Sequence, residues 1–303
     1  MKRQVAIGVD VGGTKIAAAA VDISTGSILM HDKIPTRRQD GGARVLERLI
    51  GMIKSLLDRL QKIDIQILGI GIGIPELVNN EGVIKSNWNF NWDKRNITER
   101  LAEFGVVILE SDARTAALAE HHFGHGKNYP SFVFVTIGSG LSFAFSKDGQ
   151  IHRGANGYAI HFGSSDILAV CSACGAQSAF NLEAFASGRG LAETFRNRTD
   201  EVTDARSLVN DDCGGAAKLL VDQATSALSS YLGQLVNIFD PHAVIIGGGL
   251  GTAPKLFAIL EQKIRPHIWA RDCSSLPILK SAIPKYGGAI GAAALFRVGA
   301  NEQ

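Results

Sequence analysis

Two glycine-rich turns in this chain could each hold a phosphate group. Asp10 precedes the first turn, Gly12-Gly13-Thr14-Lys15, and Thr136 stands at the equivalent place, 126 residues further on, before the second turn, Gly138-Ser139-Gly140. Because glycine has no Cβ, successive backbone N–H groups can converge on an oxyanion, while the hydroxyl groups and Lys15 add donors and a positive charge. Each turn alone could equally be an ordinary hairpin connection. Their repetition favours a nucleotide clamped between two related halves of the chain.

Alternating strands and helices would position these turns. The sequence predicts strands over 5–9, 16–21, 27–30 and 67–74, and a helix over 45–60 whose apolar residues recur every three or four positions. A short strand over 106–109 leads to Glu110-Ser111-Asp112 and a helix over 113–122. Further on, we predict a helix over about 216–239, a strand over 243–246 that ends at Gly247-Gly248-Gly249, and a helix over 288–298. Alternation of this kind is typical of an α/β fold.

A cluster of Gly, Asn and Pro residues at 124–130 indicates a boundary between two domains. We predict a small N-terminal α/β domain over 1–125, which is joined by about 288–303, and a larger C-terminal α/β domain over 126–287. The 303 residues suffice for two domains with substantial cores.

The composition favours small-molecule chemistry. With 31 Lys and Arg against 29 Asp and Glu, the charge gives no indication of nucleic acid or of an anionic membrane as a partner. The N-terminus lacks the apolar stretch of a signal peptide, and no segment approaches the length of a membrane span. Four cysteines in a chain of this size do not make a disulfide scaffold. We therefore predict a cytoplasmic protein.

Four motifs, in this order along nearly the whole chain, resemble the ROK family of sugar kinases and sugar-responsive repressors. They are Asp10-x-Gly-Gly-Thr-Lys, Ser111-Asp112 at the head of a helix, Thr136-x-Gly-Ser-Gly, and Gly247 to Gly249. The resemblance implies two related actin-like (ribonuclease H-like) domains, each with a mixed sheet flanked by helices, and an active-site cleft between them. It also implies a homodimer. Family repressors carry a helix-turn-helix before the first phosphate turn, whereas here that turn begins within ten residues of Met1, which favours the kinase branch.

The resemblance implies ATP-dependent phosphorylation of a hexose or hexose derivative, at the 6-hydroxyl in most of the family. Asp112 would be the general base that accepts the proton of the sugar hydroxyl; the alternative is a helix N-cap, which Ser111 could supply instead. Asp10 would hold Mg²⁺ through water, or it could be a turn-forming residue. The Gly247 to Gly249 turn would lie against adenosine, or it could be a plain strand-to-helix connection.

The same resemblance implies a set of sugar-binding residues, namely Asn89, Ser111, Asp112, Tyr158, His161 and Glu183. Asn89 would bond a hydroxyl, whereas the neighbouring rings of Trp88, Phe90 and Trp92 are better explained as core. The chain departs from the family pattern at several of these places. Tyr158 replaces a glutamate, Ile160 a glycine, and Ser111 and Arg114 replace asparagines. Such losses change which hydroxyls a site can satisfy, so glucose specificity is not implied.

The cysteine pattern of the family's structural zinc site is altered as well. His161, Cys171 and Cys174 are its remaining ligands, and Asn181 stands where a third cysteine belongs. Four N or S ligands are the rule for structural zinc, so Cys213 or Cys273 would have to complete the set. Two small buried thiols are the alternative that we favour.

Two other functions stay open on the sequence. A sugar or nucleotide sensor without turnover is suggested by Tyr158, Ser111 and Asn181, although a sensor has little need of the base Asp112. The second alternative function is a conformational ATPase similar to actin. The sugar-site residues Asn89, His161 and Glu183 argue against it.

Overall fold

Two five-stranded sheets flanked by helices form the framework of the chain in the computed structural model, which describes residues 2–92, 97–210 and 214–297. The strands are β1 (Arg3–Val11), β2 (Lys15–Asp22), β3 (Ile28–Pro35), β4 (Ile65–Ile74), β5 (Val107–Ser111), β6 (Ser131–Ile137), β7 (Leu141–Lys147), β8 (Gln150–Ile151), β9 (Ile167–Val170), β10 (Gln177–Phe180), β11 (Ala243–Gly247) and β12 (Ile278–Lys280). The helices are α1 (Gly42–Leu60), α2 (Ile97–Leu101), α3 (Asp112–Phe123), α4 (Leu182–Ala186), α5 (Gly188–Thr199), α6 (Ala205–Asn210), α7 (Gly214–Phe239), α8 (Pro254–Lys263) and α9 (Gly287–Ala294).

Both sheets contain parallel and antiparallel neighbours. The first has the order β3-β2-β1-β4-β5, in which β1 runs antiparallel to β2 and parallel to β4. The second has the order β12-β11-β6-β7-β8, with β11 parallel to both β6 and β12. Strands β9 and β10 form a separate antiparallel ribbon. The predicted fold class, α/β with two mixed sheets flanked by helices, is therefore confirmed.

The chain divides into two compact units. The first unit consists of Met1–Asn128, Ser146–Ala159 and Lys285–Gln303, and the second of Tyr129–Phe145 and Ile160–Pro284. The predicted domains, 1–125 with about 288–303 and then 126–287, stay a prediction. They differ from the compact units mainly at Ser146–Ala159, which joins the first unit because β8 packs on α3 and the loop after β8 contacts the segment that follows β4.

In the first unit, apolar strands are buried against two helices. β1 and β2 are almost wholly buried, and α1 presents the apolar stripe that its three- and four-residue spacing predicts, from Val45 to Leu60. On α9, four alanines are fully buried, and this helix contacts β1, β4 and α3. Because alanine side chains are small, α9 can lie close to the sheet.

In the second unit, the long helix α7 supplies much of the core. Leu220, Leu228 and Leu232 pack in one cluster with residues of β6 and β11. The β9–β10 ribbon lies outside that core, since Ile167, Leu168 and Val170 are about half exposed. No helix in the described part of the chain is both long enough and apolar enough to cross a membrane.

Candidate active site

Asp112 lies in the first unit, where strand β5 ends and helix α3 begins. The N-cap of α3 is Ser111, whose Oγ accepts the N–H of Arg114 at 3.4 Å. Asp112 is the first residue of the helix, and its Oδ1 accepts the N–H of Ala113 at 2.7 Å. The capping role that the sequence left open for Asp112 therefore falls to Ser111, and the carboxylate of Asp112 is not needed for it.

The pKa of Asp112 is raised from its ordinary value of 3.8 to about 7. Burial is the main cause and the negative charge of Asp10 the second, while the N–H of Ala113 and the charge of Arg114 act in the opposite direction. A carboxylate whose pKa lies near neutrality can accept a proton in the transition state more effectively than an ordinary one. The physical setting suits a general base.

Asp10 stands at the end of β1, and burial raises its pKa to about 6 although Lys15 lowers it. The first turn of α9 lies against its carboxyl group: a Cβ atom added to Gly288 would be 2.6 Å from Cγ of Asp10. Gly288 was not predicted as a site residue from the sequence. The glycine pair Gly287-Gly288, at the start of a helix of small residues, could have indicated that the helix lies close to another group.

Asp10 and Asp112 suit a magnesium ion that also binds nucleotide phosphates. Mg²⁺ prefers one or two carboxylates and several waters, and a cation would relieve the repulsion by which Asp10 raises the pKa of Asp112. In the described residues no group of three or more His, Cys, Asp or Glu side chains forms a metal site of its own. The donor set therefore fits an ion that arrives with a phosphate ligand.

The first phosphate turn joins β1 to β2 in the first unit. The N–H of Gly12 donates to the carbonyl of Lys15 at 2.9 Å, and Thr14 and Lys15 are exposed. Thr36, which is fully buried and follows strand β3, stabilises the turn with two hydrogen bonds. Its Oγ1 donates to the carbonyl of Gly12 at 2.6 Å, and its N–H donates to the carbonyl of Thr14 at 3.0 Å. The turn is thus a hairpin connection whose Thr14 and Lys15 side chains are accessible. This geometry is compatible with an ordinary hairpin connection and with a phosphate-binding turn.

The second phosphate turn joins β6 to β7 in the second unit. The N–H of Gly138 donates to the carbonyl of Gly140 at 3.0 Å, and the N–H of Gly188 to that of Gly138 at 2.8 Å. The carboxylate of Glu183 accepts the N–H of Leu141 at 2.8 Å. Glu183, predicted at the sugar, therefore also supports the phosphate turn.

The third glycine cluster adjoins the second turn within the same unit. Gly247 pairs with Thr136 across the parallel strands β11 and β6. The N–H groups of Leu250 and Gly251 donate to the carbonyl of Ile137, at 3.0 and 2.9 Å. The cluster also connects β11 to α8, as the alternative interpretation has it. The structure therefore brings together two of the three segments predicted to bind ATP.

The loop that carries Asn89 is organised by Glu76, a buried residue of the first unit that the sequence analysis missed. Its carboxylate accepts the backbone N–H groups of Trp88, Asn89 and Phe90 at 3.1, 2.9 and 3.1 Å, and also the hydroxyl of Ser86. The Nδ2 of Asn89 donates to the carbonyl of Pro75 at 2.5 Å. No sequence spacing connects Glu76 to this loop.

The three aromatic rings around Asn89 have different surroundings. Phe90 is buried, and Trp92 packs on it with 4.9 Å between the ring centroids, as expected of core residues. Trp88 is 66% exposed, so the core interpretation is wrong for this ring. The reason is that the backbone N–H groups of residues 88–90 are bonded to Glu76, and in this conformation Phe90 is buried while Trp88 is exposed. Tyr158 is also exposed.

His161 lies in the second unit, where Glu183 is its charged neighbour. Burial lowers the pKa of His161 and the charge of Glu183 opposes that shift, while Nδ1 lies 3.1 Å from Oγ of Ser164. His161 and Glu183, both predicted at the sugar, are thus brought near one another.

His161, Cys171 and Cys174, the zinc ligands that the sequence did not favour, form no group of three or more metal-ligating side chains among the described residues. Both thiols lie in the turn of the β9–β10 ribbon and are exposed, so the favoured expectation of buried thiols is wrong. Asn181, at the place of the third cysteine, instead caps α4 by accepting the N–H of Ala184 at 2.9 Å. Cys213 lies outside the described residues.

Two mixed α/β units, each with a glycine-rich turn between consecutive strands, and a paired set of carboxylates in the first unit define an actin-like kinase fold. The model of the ROK family matches residues 6–298, and the chain belongs to this family.

Named relatives agree with this assignment. The chain is 32% identical over 266 residues to a glucokinase of Streptomyces coelicolor, over 80% of this chain and 81% of the relative. It is 27% identical over 311 residues to an N-acetyl-D-glucosamine kinase of Haemophilus influenzae, over 95% and 98%. The relatives confirm the predicted class of enzyme, a sugar kinase that transfers phosphate to an alcohol group.

A solved structure agrees with the fold. The ROK family glucokinase from Streptomyces griseus, in complex with glucose and AMPPNP, matches with a TM-score of 0.81 and 24% identity over 97% of this chain and 100% of that chain. The predicted actin-like fold is thereby confirmed.

Proposed function

We propose that the protein transfers the γ-phosphate of ATP to the 6-hydroxyl of a hexose or hexose derivative. The observation that carries the proposal is the pair of carboxylates in the first unit, in which burial and the charge of Asp10 raise the pKa of Asp112 to about 7. A base of this kind is what an alcohol acceptor requires, because its hydroxyl must lose a proton as it attacks phosphorus.

In the proposed reaction Asp112 accepts the proton of the sugar hydroxyl while the oxygen bonds to the γ-phosphorus and ADP leaves. Asp10 is the residue that would hold Mg²⁺, and the ion would supply positive charge that neutralises the phosphates. The turns Gly12 to Lys15 and Gly138 to Gly140 are proposed to bind phosphate groups through the donors that are not already bonded inside each turn, since the N–H groups of Gly12 and Gly138 donate within their own turns. Gly247, Gly248 and Gly249 lie against adenosine.

The residues that we propose for binding the sugar are Asn89, Ser111, Tyr158, His161 and Glu183. Glu183 keeps one carboxylate oxygen on the N–H of Leu141, so its bond to the sugar uses the other oxygen. Because Tyr158 offers one hydroxyl where a carboxylate would offer two acceptor oxygens, we expect the preferred sugar to differ from that of a glutamate-bearing relative.

The test is a coupled ADP-release screen over aldohexoses, ketohexoses, amino sugars and N-acetylated sugars. It is run with wild-type protein, Asp112→Ala, Asp112→Asn and the matched control Asp58→Asn, which changes an exposed aspartate of α1. We expect sugar-dependent ADP release that falls at least ~100-fold in both Asp112 variants, the usual scale for loss of a general base. The control should retain wild-type turnover, and sugar binding should survive in every variant.

Two results would contradict the proposal. Sugar binding without sugar-dependent ADP release in the wild type would indicate a sensor. ADP release that ignores added sugar but still requires Asp112 would indicate an ATPase.

A further inference from the structure

Arg114, two residues after Asp112, is a fully buried arginine with partners in three different segments. Its Nε donates to Oε1 of Glu110 at 2.6 Å, its Nη1 to the carbonyl of Gly157 at 2.9 Å, and its Nη2 to the carbonyl of Val78 at 3.1 Å. A planar guanidinium presents its donors in fixed directions, so these bonds constrain the positions of all three segments.

One of the two carbonyl groups belongs to the loop that carries Tyr158, and the other to a hairpin that precedes Asn89. Val78 lies in the Val78 hairpin, residues 77–85, which is closed by the N–H of Lys85 on the carbonyl of Leu77 at 2.8 Å and leads towards Asn89. Gly157 lies in the Tyr158 loop, residues 152–159, directly before Tyr158. Arg114 therefore binds the hairpin that precedes Asn89 and the residue directly before Tyr158.

The Val78 hairpin and the Tyr158 loop also contact each other. Gly157 has φ of +82°, and a Cβ atom added there would lie 2.7 Å from the carbonyl oxygen of Val78. Nδ2 of Asn80 donates to the carbonyl of Ala155 at 2.9 Å. The two segments form one layer, and Arg114 is the buried side chain that fastens this layer to helix α3.

Three positions at which the chain departs from the family pattern meet in this network. Oε1 of Glu110, which binds Arg114, also accepts the N–H of Ser111 at 2.7 Å. The hydroxyl of Ser111 accepts the N–H of Arg114, and Arg114 binds the residue before Tyr158. An asparagine at position 114 has too short a side chain to make these three contacts. The side chain of Arg114, itself one of these departures, is thus bonded to Glu110, beside Ser111, and to the carbonyl of Gly157, beside Tyr158.

We propose that Arg114 is a positioning residue that holds the Tyr158 loop and the Val78 hairpin in the arrangement that binds the acceptor sugar. This inference rests on the proposed function for the identity of the substrate. The bonds from Arg114 to the two segments do not depend on that function. Glu110 keeps a cationic partner when Arg114 is replaced, because Nη2 of Arg153 lies 2.9 Å from its other carboxylate oxygen. A variant at position 114 therefore leaves no isolated buried carboxylate.

The test compares Arg114→Met and Arg114→Lys with Arg59→Met, which removes the same charge from an exposed ion pair with Asp32 in the same unit. We expect Arg114→Met to raise the KM for the sugar ~10- to 100-fold, the effect of a displacement of about 1 Å at a positioned group. The KM for ATP should stay within about 2-fold of the control, because uniform loss of the fold would change both constants. Arg114→Lys keeps the charge and should recover part of the loss.

Hydrogen exchange on the sugar-free protein provides the second readout. Amides of 155–159 and 79–83 should exchange faster in Arg114→Met than in Arg59→Met, while those of β1 and β4 stay unchanged. If Arg114→Met does not fold, Gly157→Ala disturbs the same contact without changing a buried charge.

An unchanged sugar KM, parallel changes in both KM values, or unchanged exchange in the two segments would each overturn the inference. Failure of the proposed function is a different result, namely a wild-type protein that releases no ADP with any sugar. Hydrogen exchange would then still decide whether Arg114 holds the two segments.

Discussion

Replacing Gly288 with alanine tests whether the first turn of α9 sets the position of the Asp10 carboxylate. A Cβ atom at this place would lie 2.6 Å from Cγ and 2.8 Å from Oδ2 of Asp10. Since non-bonded carbon atoms approach to about 3.5 Å, the carboxylate or the helix must move by roughly 0.9 Å. A shift of about 1 Å in a group that positions the reacting phosphate can lower turnover ~100-fold. We expect kcat to fall at least ~10-fold and the KM for the sugar to change little.

Gly51→Ala is the matched control for this substitution. Gly51 lies on an exposed turn of α1, and an added Cβ would meet nothing within 4 Å. Alanine favours a helix over glycine by about 0.5–1 kcal/mol, so Gly51→Ala should raise the free energy of unfolding by that amount and leave kcat unchanged. In Gly288→Ala the clash should cancel this gain. The assays are coupled ADP release at saturating sugar, over a series of Mg²⁺ concentrations, and urea unfolding. A Gly288→Ala enzyme with the kcat of Gly51→Ala would refute the role assigned to α9.

Three further predictions follow from single residues. Because Asp112 must be ionised to accept a proton, kcat/KM should rise with pH through the raised pKa of Asp112, which is about 7 without the metal ion and lower when a cation offsets the charge of Asp10, and level off above it; a profile that is flat between pH 5 and 9 would contradict this role. Glu76→Gln should raise the KM for the sugar ~3- to 10-fold, since one of the acceptor oxygens that hold the Asn89 loop is lost, whereas Glu99→Gln on the exposed surface of α2 should not. The pKa of Asp22 is lowered to about 2 by its bonds to Ser24 and Arg3, against the effect of burial. Its contribution to stability is therefore present above pH 4 and is lost as the pH falls towards 2. Urea unfolding should accordingly show a difference between wild type and Asp22→Asn that shrinks over this range.

The two glycine-rich turns could be predicted from the sequence because each is formed by a local stretch of backbone. A glycine turn between two apolar strands is a local pattern, and it recurs at Gly12 and at Gly138. Strand β1 and helix α1 are similarly local, since the period of their apolar residues decides which face is buried. The positions of Asp10 and Asp112 followed from the ends of predicted strands.

The support of the sugar loops could not be predicted in the same way. Glu76 binds N–H groups 12 to 14 residues away, and Arg114 binds carbonyls 36 and 43 residues away. No periodicity connects residues at such distances, and in the sequence Arg114 is merely one charged residue in a helix. The exposed thiols of Cys171 and Cys174 were misjudged for a related reason, because strands β9 and β10 pair only with each other and the turn between them lies away from the core.

The departures from the family pattern divide between the two units in a way that bears on specificity. Ser111 and Arg114 are hydrogen-bonded to one another and to Glu110 in the first unit, and Arg114 also binds Gly157, the residue before Tyr158, whereas Glu183 in the second unit is retained and accepts the N–H of Leu141, beside the second glycine-rich turn. A change at Glu183 would therefore disturb phosphate and sugar together. A change in the network of Arg114 can alter the loop that carries Tyr158 without touching the phosphate turns. We therefore expect that substitutions around Arg114 alter sugar preference more readily than they alter phosphate binding.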